Sequence, residues 1–119
     1  MSAQHYRDLI VWQKAHAWVI DVYKYTWGMP KDELYGLTSQ LRRAATSVPT
    51  NLVEGFKRRS VNEKIQFYNL AESSLSEVHY QPDLAQDLQY GETLALQSQA
   101  EEIDRLLSAY IASIERSGR

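Results

Sequence analysis

Cysteine is absent from this 119-residue chain. Disulfides, thiolate nucleophiles and Cys-ligated zinc are therefore excluded, and a reducing compartment is compatible. Five glycines and three prolines leave few places where regular backbone must break. Long hydrophobic runs are missing too. The longest, such as "LIVW" and "AWVI", fall far short of the ~20 apolar residues that cross a bilayer. The opening stretch "MSAQHYRDLIVWQK" lacks the apolar core of a secretory signal. The expectation is a cytoplasmic protein without membrane contact.

Catalytic motifs are also lacking. There is no H-E-x-x-H, no P-loop, no G-x-G-x-x-G and no G-x-S-x-G. A helical di-iron site needs Glu-x-x-His pairs, but Gln13 stands three residues before His16 and Ser76 three before His79. His79 and Asp83, four apart, are read as surface polar residues, and His5 is given no role. The serines of "AESSLSE" (71–77) suit close helix packing better than nucleophilic attack. We expect no catalytic residue, no metal and no cofactor, hence no enzyme.

What is present is helical periodicity over one domain, residues 1–119, with 44% hydrophobic residues. "GMPKDE", "RRSVNE" and "QYGET" mark boundaries. Ser60 and Glu63 form a capping-box pattern. The spacing predicts helices over roughly 9–26, 34–58, 61–89 and 92–115. In the last, Leu96, Ala100, Ile103, Leu107, Tyr110 and Ile114 alternate steps of four and three, an a/d seam. Short connections between long helices predict an all-α, antiparallel up-and-down four-helix bundle.

The stretch "QLRRAATSVPTNLVEGFKRRS" (40–60) puts Pro49 inside the second helix. Leu37, Leu41, Val48, Leu52 and Gly55 fall within roughly 40° of one direction on a helical wheel. Because the apolar phase survives the proline, the prediction is one helix bent at Pro49, with Thr46 and Ser47 serving freed backbone groups. Arg43, Thr50, Glu54 and Lys57 share the opposite face. Asn51 sits at the helix border, placed to bond a neighbouring segment, and Glu54 can pair with Lys57 or Arg58. Pro82 lies in phase with Leu75, Val78 and Ala85, on the buried face of the third helix, which it should kink.

The first helix carries too much apolar surface for one core. Trp12, Val19 and Thr26 define one face. Val11, Trp18 and Tyr25, widened by Ile10, Ala17 and Ile20, define another. In so small a domain the second face is expected to meet another subunit.

Charge is unevenly spread. Residues 1–60 carry nine Lys/Arg and five Asp/Glu, net +4, while residues 61–119 carry four and ten, net −6. The basic clusters Arg42–Arg43 and Lys57–Arg58–Arg59 are the candidate nucleic-acid surface.

The segments "RDLIVWQKAHAWVIDVY", "LTSQLRRAATSVPTNLVEGFKRRS" and "FYNLAESSLSE" resemble the bacterial 23S rRNA intervening-sequence proteins. Arg42–Arg43–Ala44, Ser47, Pro49, Asn51 and Glu54–Gly55 are the most specific part. The resemblance implies an antiparallel four-helix bundle assembled as a homopentamer. It extends to accessory proteins of diversity-generating retroelements, which are strongly basic and look nucleic-acid binding. Two function classes follow. One is a homo-oligomeric module that binds RNA, DNA or a nucleoprotein through Arg42, Arg43, Lys57, Arg58 and Arg59. The other is a protein-interaction scaffold in which those residues form intersubunit ion pairs. Trp18, Ser47, Pro49, Asn51, Glu54 and Gly55 are the candidate structural or interface positions.

Overall fold

The computed structural model describes residues 3–117. Four helices make the architecture: α1 (Ile10–Trp27), α2 (Leu37–Lys57), α3 (Val61–Asp87) and α4 (Leu94–Ser117). Among the described residues there is no strand. Short 3-10 turns at Tyr6–Asp8 and Lys31–Glu33 precede α1 and α2. The second turn is why α2 starts three residues later than the periodicity suggested. α1 and α3 each pack on both α2 and α4. Ser47 meets Ser74 and Gly55 meets Lys64, Tyr68 meets Tyr110 and Asp83 meets Gln97, and Lys14 meets Glu102 and Asp21 meets Gln99, so residue numbers rise on one helix as they fall on its partner. The predicted bundle is therefore correct, and it measures 46 × 23 × 20 Å.

Local chemistry sets the helix ends. His5 is not idle as expected: its Nδ1 accepts from the Arg7 N–H, while the Asp8 carboxylate accepts from the Gln4 and His5 N–H groups. Ser60 Oγ accepts from the Glu63 N–H at 3.1 Å, starting α3. α3 closes in a Schellman arrangement, with Tyr90 N–H donating to Ala85 O and Gln89 N–H to Gln86 O. The left-handed residue there is Gln89, at φ 64°, not a glycine.

Two of the three prolines lie inside helices, Pro49 in α2 and Pro82 in α3. α2 is continuous through Pro49, as the preserved phase predicted. Pro49 removes one N–H, and its ring crowds the Ala45 carbonyl. Around it, Thr46 Oγ1 donates to Arg42 O (2.8 Å) and Thr50 Oγ1 to Thr46 O (2.7 Å). Pro82 is fully buried, as its phase required.

The core corrects the reading of α1. Val11, Ala15, Trp18 and Val22 all point into the chain's own core, and Trp18 has no exposed surface. Its indole N–H donates to Leu96 O of α4 at 3.1 Å, so the ring is held at both its apolar and polar parts. The face that carries Val11 and Trp18 is thus not a subunit interface. The other predicted face is also largely covered: Trp12 stacks on His16 at 5.0 Å and meets Tyr6 edge-on, and Val19 is half-buried against the core. What α1 leaves in water is a narrower arc with Ile10, Ala17, Ile20 and Trp27. On α4, Leu96, Ala100, Ile103 and Leu107 are buried, while Tyr110 and Ile114 are half-buried, so the predicted seam is real and loosens towards its end.

Candidate nucleic-acid interface

α2 supplies three of the five basic candidates, Arg42, Arg43 and Lys57; Arg58 is its C-cap and Arg59 follows directly. Arg43 and Lys57 stand fourteen residues apart, about 21 Å of helix. The two clusters are therefore well separated along α2 and do not form one compact patch. Arg43, Thr50 and Lys57 are exposed on the outward line predicted for them.

The five differ in what they already do. Arg42 is half-buried: its Nε donates to Thr26 Oγ1 at 2.9 Å, and its guanidinium lies 4.6 Å from the Tyr23 ring centroid. Arg58 pairs with Glu54 at 3.4 Å and lies 4.5 Å from the Phe67 ring centroid. Arg43, Lys57 and Arg59 are exposed. Among the described residues, none of these three has a carboxylate within ion-pair distance. Lys64 is a further cation on this side. Its ammonium donates to Gly55 O (3.3 Å) and Phe56 O (3.0 Å), capping the last turn of α2, and burial lowers its pKa.

The motif residues are structural. Asn51 does not bond across to a neighbouring segment as expected. Its Nδ2 turns back to Ser47 O (2.8 Å) and Ser47 Oγ (3.0 Å). Ser47 carries the link onward, accepting from Ser74 Oγ of α3 at 2.8 Å. Small side chains at Ala44, Ser47, Ala71 and Ser74 let α2 and α3 approach closely. Gly55 has a sharper reason: a Cβ there would stand 2.4 Å from Tyr68 Cε1. Tyr68 is fully buried and shares a 3.3 Å hydrogen bond with Tyr110.

Sequence reasoning missed the aromatic residues beside Arg42 and Arg43. Trp27 and Tyr35 are 71% and 94% exposed. Both flank the "GMPKDE" boundary, where no periodicity demands an aromatic ring. That misplacement was the available signal.

The fold and its polar α2–α3 seam define a helical-bundle protein built around a proline-containing second helix. The sequence matches the 23S rRNA-intervening sequence protein family over residues 7–109, and the chain belongs to that family. A crystal structure of a protein of unknown function from the S23 ribosomal protein family of Bacteroides thetaiotaomicron VPI-5482 has the same fold. It is similar at TM-score 0.80 and 21% identity, covering 89% of this chain and 98% of that one. No curated protein matches the chain. Neither match points to a catalytic family. No helix among the described residues is long and apolar enough to cross a membrane, and no cluster of three or more His, Cys, Asp or Glu among them is arranged to hold a metal.

Proposed function

We propose that the protein is a non-enzymatic, cytoplasmic, homo-oligomeric module that engages nucleic acid electrostatically along the outer edge of α2. The observation that carries this reading is the set Arg43, Lys57 and Arg59, exposed and without carboxylate partners among the described residues. A protein stable without those charges in ion pairs has them free to replace counterions on phosphates. Arg42 and Arg58 act in this scheme as positioned cations already braced by Tyr23 and Phe67. Self-association draws support from large apolar side chains left in water, Ile10 and Ile20 on α1 and Leu70 and Tyr80 on α3. The pentameric state rests on family resemblance.

The scaffold reading draws on charge distribution. α1 and α2 carry five Lys/Arg against two Asp/Glu, net +3, and α3 and α4 carry three against nine, net −6. Copies packed basic side on acidic side would use the arginines as intersubunit partners. A titration of labelled RNA at low and moderate salt separates the two. The nucleic-acid reading expects a log–log salt slope of about −0.7 per single-strand phosphate neutralised. It also expects weakened binding, with mass unchanged in light scattering, for Lys57→Glu/Arg59→Glu. Absence of binding at low ionic strength leaves the scaffold.

A further inference from the structure

We infer that the corner between α1 and α2 is a base-stacking platform for single-stranded nucleic acid. This rests on the electrostatic reading above and adds the substrate form and the residues that read it. Trp27 ends α1 at 71% exposure, and Tyr35, at 94%, stands in the turn before α2 with Leu34 (48%) beside it. Two adjoining hollows meet at Leu34, Thr38 and Arg42. One, of about 420 Å³, is lined by Tyr23, Tyr35, Arg42 and Arg43. The other, of about 230 Å³, is lined by Trp27, Met29, Pro30 and Lys31.

Charge selects the occupant. No aspartate or glutamate lines either hollow. Hollows elsewhere on the surface include Glu77, Asp8, or Asp83 with Glu101. The nearby Glu33 carboxylate is already engaged, accepting from Tyr90 Oη at 2.8 Å and from the Leu37 N–H at 3.3 Å. Arg42 commits only its Nε, to Thr26, which holds the guanidinium against Tyr23 with its terminal nitrogens left for an anion. The corner thus offers exposed π-faces beside cations that have no anion of their own. A strand with free bases and a phosphate backbone complements both features at once. A duplex does not, because its base faces are already stacked on one another.

The test uses the 119-residue chain in its solution assembly. A fluorescein-labelled 15-nucleotide uridine RNA and a blunt RNA duplex of equal length are titrated against wild type, Trp27→Ala, Tyr35→Ala, Trp27→Phe and Arg43→Gln. Both aromatic positions are exposed, so the variants are expected to fold; circular dichroism checks this. Trp27→Ala and Tyr35→Ala should each weaken single-strand binding by roughly 5- to 100-fold, with the salt slope and duplex affinity unchanged. Trp27→Phe should restore most of the affinity. Arg43→Gln should instead reduce the slope by about 0.7. RNA should quench the emission of wild type, whose Trp18 is buried, and not that of Trp27→Phe. Wild-type single-strand affinity in both alanine variants overturns the platform but leaves the electrostatic reading standing. So does equal binding of strand and duplex. A fall in oligomer mass with unchanged RNA affinity overturns it in favour of a subunit contact at this corner. No binding by wild type removes both proposals.

Discussion

Gly55→Ala tests why the second helix carries a glycine in its last turn. The new methyl carbon would lie 2.4 Å from Tyr68 Cε1, 2.8 Å from Cδ1 and 3.0 Å from Cζ. The ring cannot swing away at little cost, because Tyr68 is fully buried and its hydroxyl is tied to Tyr110. Two effects of opposite sign compete. Alanine gains about 1 kcal/mol over glycine in a helix interior. Overpacking a filled core costs about 1–3 kcal/mol, and this contact is closer than normal van der Waals approach along one side of a ring. The clash should win, with net destabilisation of about 1–2 kcal/mol. For a domain of this size that lowers Tm by very roughly 4–12 °C. A double-mutant cycle isolates the cause. Tyr68→Leu alone should destabilise by loss of packing. In that background Gly55→Ala should become neutral or stabilising, giving a coupling of about 1–3 kcal/mol. Urea unfolding of the four proteins measures it. If Gly55→Ala is as stable as wild type, or costs the same in both backgrounds, the steric account of the glycine is wrong.

Further outcomes follow from the same packing. Trp18→Ala should cost about 3–5 kcal/mol, since it empties a core position and orphans its bond to Leu96, whereas Trp27→Ala should stay within about 0.5 kcal/mol; thermal melts compare them directly. Gln89→Gly should stabilise by roughly 1 kcal/mol, because Gln89 holds φ 64° at the end of α3, and an unchanged denaturation midpoint would refute this. Burial, then the hydrogen bond to Tyr110, holds the Tyr68 phenol protonated well above its ordinary pKa of 10.0. The folded state therefore keeps a proton that the unfolded state releases. Stability should be intact below about pH 10 and fall above it, by about 1.4 kcal/mol per pH unit for this group. Urea melts at pH 9, 10 and 11 check this, and Tyr68→Phe should show a shallower decline.

Four helices, their order and the burial of Leu96, Ala100, Ile103 and Leu107 were legible from spacing, because burial on a helix repeats with the backbone's own period. The passage of α2 through Pro49 was legible for the same reason. Ser60 announced the start of α3 through a bond made within three residues. The role of α1 was not legible. Trp12 and Trp18 are equally apolar in sequence, and only the packing of α1 against α2 and α4, with the Leu96 carbonyl 78 residues away placed to accept from its indole, makes Trp18 the core residue. In the candidate site, Arg43 and Lys57 were placed on their outward line by periodicity. That Arg42 rests on Tyr23 and Thr26, while Arg43 remains free, depended on how α1 lies against α2. The sequence by itself thus determined helical identity, phase and the Ser60 cap, which are set by neighbours a few residues away. The tertiary structure alone decided which tryptophan is buried, why residue 55 has no side chain, and which rings stand in water beside the arginines. Each of those depends on atoms brought together from distant parts of the chain, and local periodicity carries no record of them.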